Sequence, residues 1–458
     1  MSEKPRTPAG DMTIVRRKQI VDALRRGTVP RHGLELFAVG LEPFEQAIDD
    51  GLKKAARGQG EFKAVRGEYG TGKTFFSRWL EHRALKAGFA SAVVQINASD
   101  TPLHKMETVY RRAIENLRTQ DAAENAFLPL IEGWFYGLEE EALAQPGVDE
   151  ANPESITRAV GELLESKLRD VSATQPQFAA ALRALHAARA RGDHMVADGL
   201  LSWLMGQPHV AAAIKAKAGL KGDLDHFGAM GFLRGLLAVL QQTGRKGLLL
   251  VLDEVETIQR VQSNIREKSL NAIRQLLDEL EENRYPGLYV LMTGTPQFFD
   301  GQQGVQRAPA LAQRLHTKFR DDPRFDNPHA VQIRLLPFSM EKLQAVGCRI
   351  RDIYPSEHAE RLAARANDDF IARLAQEVAG AFGQKVGIAP RIFLKTLVDE
   401  LDTIDAHPDY DPGAHFKFSL DATALSASEK EAAGLVTSVD DIQLDLDSAG
   451  TKTGEGAL

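Results

Sequence analysis

The chain has 458 residues, 43% hydrophobic and 26% charged, with a net charge of −7. That charge excludes a globally basic nucleic-acid coat, and a single cysteine, Cys348, excludes an intrachain disulfide framework or a thiolate zinc site. With no apolar run long enough to span a bilayer and no apolar signal core at the start, a cytoplasmic protein of two or three domains, without a membrane partner, is expected.

In chain order, residues 14–26 predict an amphipathic helix with a basic face, and residues 39–58 a second helix stopped by glycine. Residues 61–66, EFKAVR, predict a short strand. A glycine-rich loop follows, and from Thr74 a helix with Phe76, Leu80 and Leu85 on one face runs to Gly88. The loop, Gly67-Glu68-Tyr69-Gly70-Thr71-Gly72-Lys73-Thr74, fits G-x-x-x-x-G-K-[ST] at every fixed position, in the strand–loop–helix context that a phosphate cradle needs. Glycines let backbone N–H groups approach phosphate oxygens, and the helix start adds partial positive charge. Lys73 is then expected to reach the β- and γ-phosphates of ATP, and Thr74 to ligate Mg2+.

Residues 89–99 predict the next strand and 102–118 a long helical stretch. Residues 121–225 are more chain than a minimal nucleotide core requires. They include an alanine-rich tract, 177–206, and are expected to form a large all-α insertion with Trp134 and Trp203 in its core. A helix over 226–244 returns to GLLLVLDEVETI. There Leu248–Leu252 predict a strand buried on both faces, ending in Asp253-Glu254. Asp253 is the expected Mg2+ residue and Glu254 the group that polarises the attacking water, with Glu256 a weaker candidate for the latter role.

A further strand, GLYVLM, ends in Thr293-Gly294-Thr295-Pro296. A polar side chain there can sense the γ-phosphate, and Thr295 is preferred over Thr293. Arg314, ahead of Arg307, is the candidate for an arginine that projects into a neighbouring protomer's nucleotide. Helices follow from 335–354 to 388–405. Pro390 suits a first turn, and Arg391 at a helix N-terminus suits an arginine facing phosphate. Residues 411–458 lose apolar periodicity and are expected to form a mobile acidic tail.

The order of phosphate loop, Asp-Glu strand, polar strand end, arginine and helical Pro-Arg segment resembles AAA+ ATPases. The blocks RRGTVPRHGLELFAVGLEPFE, VRGEYGTGKTFFSRWLEHRAL, TPLHKMETVYRR, LDEVETI and APRIFLKTLVDELD are similar to the ATP-binding proteins of BREX phage-defence systems, the BrxD type. The resemblance covers about residues 14–410. It implies an α/β fold with an AAA+ P-loop core and parallel sheet (12–120 and 226–335, with the N-terminal helices in 14–58), the 121–225 insertion and a C-terminal helical lid over 336–410. It also implies a Mg2+-dependent ATPase of an antiviral cassette, with distant kinship to helicase loaders. Implied partners are other defence proteins, DNA (bound directly or through an Lhr-like helicase), and further copies of the chain in an oligomer. Lys73, Thr74, Asp253 and Glu254 carry over onto the ATPase motifs; Thr295, Arg314 and Arg391 match positions whose roles vary. A self-contained helicase is disfavoured, because there is only one phosphate-loop core. The rival is a signalling or scaffold ATPase that never touches DNA.

Overall fold

The computed structural model describes residues 12–149, 151–382, 390–419 and 425. Their contacts divide into two compact units. One is Ala38–Glu68 with Gly72–Leu336; the other is the described residues up to Phe37, Tyr69–Thr71, and those from Pro337 onward.

The first unit holds one five-stranded parallel sheet: β1 (Glu61–Arg66), β2 (Ala90–Gln95), β3 (Leu248–Asp253), β4 (Leu288–Gly294) and β5 (Gln332–Arg334). Their spatial order is β2-β3-β4-β1-β5. Every residue of β3 and β4 is buried, as continuous apolar runs covered on both faces of a parallel sheet must be. The entry to β3 is tight. A Cβ on Gly247 (φ 155°) would lie 2.0 Å from the carbonyl oxygen of Gly287, so only glycine fits without moving the backbone.

Registration aligns the functional end of the sheet. Val65 is level with Thr293, Leu252 with Met292, and Gln95 with Asp253. Val65, Thr293, Asp253 and Gln95 therefore form one row near the carboxyl ends of four adjacent strands, where ligands bind in open α/β sheets.

The helices Lys73–Lys86, Glu42–Ala56 and Ser263–Glu281 pack around the sheet. Between β2 and β3 the described chain forms helices from Met106–Glu115 to His226–Gln242 and no strand. Trp134 and Trp203 are buried there. Trp203 and Phe178 each meet Phe232 edge-on at 5.1 Å, and Tyr110 meets it at 5.9 Å. Trp134 donates through Nε1 to Gln242 at 3.0 Å. The aromatic core of these helices is thus continuous with that of the helix leading into β3, not a separate nucleus. Each fully buried aromatic or aliphatic side chain contributes about 1.5–3 kcal/mol to that joint core.

The second unit is helical among its described residues: Ile14–Arg25, Met340–Ile353, Ala359–Arg365, Asp368–Ala381 and Pro390–Ala406 are its longer elements. Here the structure departs from the grouping expected from sequence, which placed the first helix with the nucleotide core. Ile14–Arg25 buries Ile20, Val21 and Leu24, and Arg25 donates through Nε to Asp402 at 2.6 Å. An apolar face and a long-range ion pair tie it to Pro390–Ala406. Of the acidic stretch from 411, Phe416 meets Phe370 edge-on at 5.8 Å. Most of the rest of that stretch lies outside the described residues.

Candidate functional site

Strand β1 delivers the chain into the glycine loop, and Gly67 N–H bonds the carbonyl of Gly294 at 3.1 Å, pinning the loop's start to the end of β4. Gly70 (φ 80°) and Gly72 (φ 93°) adopt left-handed conformations that a side chain would strain. Gly72 is also the N-cap of the helix Lys73–Lys86, so the chain turns straight from loop into helix. The sequence pattern alone started that helix at Thr74. Glu68, Tyr69 and Gly70 are exposed, Thr71 is buried, and Thr74 stands exposed in the helix's first turn.

Lys73 is only 8% exposed. Its ammonium donates to the carbonyls of Gly67 at 2.8 Å and Glu68 at 3.2 Å. Burial lowers its pKa, opposed by the charges of Glu256, Asp253, Glu68 and Glu254, in that order of strength. The loop lysine and the acids at and after the end of β3 therefore share one electrostatic environment, although 180 or more positions of chain separate them.

Asp253, at the end of β3, is 7% exposed. Burial raises its pKa; a hydrogen bond from Thr293 and the charge of Lys73 oppose that rise, while Glu254 adds to it. The Thr293 hydroxyl is the hub of the row. It donates to Asp253 Oδ1 and accepts from the Glu254 N–H at 3.2 Å. Glu254 has a left-handed backbone (φ 59°), uncommon for a residue with a side chain, and its Oε2 accepts from Gln95 Nε2 at 2.8 Å. The turn Val255–Arg260 then buries Glu256, 6% exposed, with both carboxylate oxygens lacking a hydrogen-bond partner. Burial is the main cause of the rise in its pKa.

The two threonines at the end of β4 and just after it are thus separated by geometry. Thr293 contacts both acids, whereas Thr295, 5% exposed, is the N-cap residue of the helix Pro296–Asp300 and makes no side-chain capping bond. Arg314 is paired within its own chain, with Asp278 at 2.6 Å and with Glu281. Arg307 is likewise held, by Glu267 at 2.9 Å and Ser263 at 2.7 Å. Arg391 belongs to the helical unit, on Pro390–Ala406, with its side chain against Gly27; residues 383–389, just before it, are not described. Sequence reasoning passed over Gln95, a polar residue at a strand end with no motif around it.

The donor set suits a magnesium-bound nucleotide. Among the described residues no cluster of three or more His, Cys, Asp or Glu could hold a metal by itself. A hydroxyl at Thr74, one carboxylate at Asp253 and buried acceptor oxygens without donors at Glu256 suit an ion that keeps waters and shares phosphate oxygens.

The profile of the BREX system ATP-binding protein family, BrxC/D, matches residues 14–420. The chain belongs to this family. ATP is accordingly the ligand that membership assigns to the chain, and BREX phage defence its setting. No curated protein and no solved structure matches the chain. Among the described residues, no helix is long and apolar enough to cross a membrane.

Proposed function

We propose that the chain is a Mg2+-dependent AAA+ ATPase of the BrxD type that works as a nucleotide-driven switch or loader in phage defence. The observation that carries this reading is the shared electrostatic environment of Lys73 and Asp253: a buried cation from the loop after β1 and a buried acid at the end of β3 whose charges act on each other, with Thr293 of β4 bonded to the acid. A triphosphate lying along the loop would meet the backbone of Gly67–Thr74 and the Lys73 ammonium. Thr74 and Asp253 would hold Mg2+, which supplies charge neutralisation across the phosphates. Glu254 orients the attacking water and accepts its proton. Of the candidate sensing groups, Thr293 is better placed than Thr295, because its hydroxyl links Asp253 to the backbone of Glu254.

In this reading residues 38–120 and 226–335 are the catalytic core, 121–225 an insertion, and 336–410, packed with the helix Ile14–Arg25, a lid that contributes Arg391. ATP closes the lid and hydrolysis reopens it. Shifting such a switch from mostly open to mostly closed needs about 5.5 kcal/mol of differential nucleotide affinity, within reach of phosphate and cation contacts. The motion passes to DNA or to a partner helicase, and Arg314 acts on a neighbouring protomer in an oligomer. The test is to size the Glu254→Gln protein with ATP and Mg2+, with and without DNA. The expected outcome is retained ATP, no turnover and a larger assembly; normal hydrolysis by this variant would refute the assignment of Glu254. The alternative, a scaffold ATPase that regulates partners without DNA, is favoured by the net charge of −7. It predicts no DNA binding even at low salt.

A further inference from the structure

Glu256 is the anomaly of the site. A carboxylate 6% exposed normally has its oxygens satisfied, yet neither oxygen of Glu256 makes a well-formed hydrogen bond, and its own backbone N–H is the one donor that acts on it. Leaving such a group unsatisfied is costly, and a fold under no other demand would place an apolar side chain there. The surroundings narrow the choice of donor. Glu256 lies on the turn that follows directly from Asp253 and Glu254, and of the acids that act on Lys73 its charge acts most strongly. The Lys73 ammonium donates instead to the Gly67 and Glu68 carbonyls. Glu256 therefore neighbours the cation of the loop without bonding it, keeps its acceptor capacity, and lies close enough to Asp253 for the two charges to act on each other. The Glu254 N–H already donates to the Thr293 hydroxyl, and that hydroxyl donates to Asp253, so neither serves Glu256.

We infer that Glu256 is an outer-layer residue of the magnesium site, accepting hydrogen bonds from water on the divalent cation that Asp253 and Thr74 hold. Mg2+ keeps several waters when bound to protein and nucleotide, and those waters are strong donors that need acceptors when buried. Two free carboxylate oxygens next to the inner ligand meet that need, and such second-layer acceptors orient the ligand sphere. This is a positioning role, distinct from that of Glu254, and it rests on the nucleotide reading given above.

The test uses the full chain and two readouts that do not depend on turnover. Fluorescent mant-ADP is titrated with and without Mg2+, and the ligand-free proteins are melted. For Glu256→Gln, the Mg2+-dependent tightening of mant-ADP is expected to fall by about tenfold or more. The ligand-free protein is expected to melt no lower than wild type, because the amide removes a buried carboxylate without a well-formed hydrogen bond while Asp253, Glu68 and Glu254 remain around Lys73. Glu256→Asp, which keeps the carboxylate one methylene shorter, should recover part of the tightening. A merely structural glutamate would lower the melting temperature and leave the tightening intact, and either result overturns the inference. If Glu256→Gln does not fold, full Mg2+-dependent tightening in Glu256→Asp, with no shift in the cation concentration required, overturns it equally. A wild-type chain that binds no mant-ADP under any condition defeats the nucleotide reading itself, which separates the two failures.

Discussion

Gln95 Nε2 donates a hydrogen bond of 2.8 Å to Glu254 Oε2, joining the end of β2 to the acid expected to orient water. While that bond holds, one carboxylate oxygen is committed to an amide, and the left-handed backbone of Glu254 sets the side chain's direction. Gln95→Ala frees the oxygen. Basal ATP hydrolysis, followed by phosphate release, should rise a few-fold, matching the loss of one exposed hydrogen bond of about 0.5–1 kcal/mol. A fall in turnover would show that Gln95 supports the active arrangement instead.

Thr293 and Thr295 are two residues apart but differ in consequence. Thr293→Val leaves a buried oxygen of Asp253 without its donor and the Glu254 N–H without its acceptor. Denaturant unfolding should show a loss of roughly 1–3 kcal/mol, with weaker Mg2+-dependent nucleotide binding. Thr293→Ser should restore most of both. Thr295→Ala removes a hydroxyl that caps nothing and one buried methyl group; it should cost about 1 kcal/mol and leave Mg2+-dependent nucleotide binding unchanged. Equal effects at the two positions would contradict the hub role.

Those two threonines also mark how far the sequence could be read. Leu248–Leu252 signalled a strand because a parallel strand buried on both faces needs an unbroken apolar run, and β3 occupies Leu248–Asp253. The loop was legible because its glycines serve backbone geometry that other residues resist, and Gly70 and Gly72 do hold positive φ. Strand ends are a different matter. Thr293 and Thr295 both suit a polar terminus, and only the register of β4 against β1 and β3 shows which one reaches Asp253. The edge strand β5, Gln332-Ile333-Arg334, has one apolar residue in three and gave no periodic signal. The pairing of Ile14–Arg25 with Pro390–Ala406 was hidden for another reason: the Arg25–Asp402 contact spans 377 positions and has no local trace.

Arg314 is engaged with Asp278 and Glu281, both partly exposed pairs. Arg314→Ala should therefore change stability by less than about 1 kcal/mol. If Arg314 also serves a neighbouring protomer, this variant loses turnover, and mixing it with Lys73→Ala chains restores part of it. One chain then supplies an intact arginine and the other an intact pocket. Wild-type turnover by Arg314→Ala alone would rule out the role in trans.

Cys348 offers a pH test of the helical unit. Burial, reinforced by the charge of Asp368, pushes its thiol up to about 11. The reactive thiolate is thus scarce below that pH in the folded chain and plentiful near pH 8.5 in the unfolded one. At pH 8 iodoacetamide should label native Cys348 about a hundredfold more slowly than the urea-unfolded chain, and the native rate should climb until about pH 11. Equal native and unfolded rates at pH 8 would contradict the half-buried setting of Cys348 beside Asp368.

The most direct test of the nucleotide pocket is calorimetric titration of ATP with Mg2+ into the wild-type and Lys73→Ala chains, each checked by thermal unfolding. The predicted result is one ATP per wild-type chain and an affinity at least about a hundredfold weaker in the variant, on the scale of a lost charge-assisted contact of roughly 3 kcal/mol. Equal affinity in a folded Lys73→Ala protein would contradict the placement of the triphosphate between this loop and Asp253.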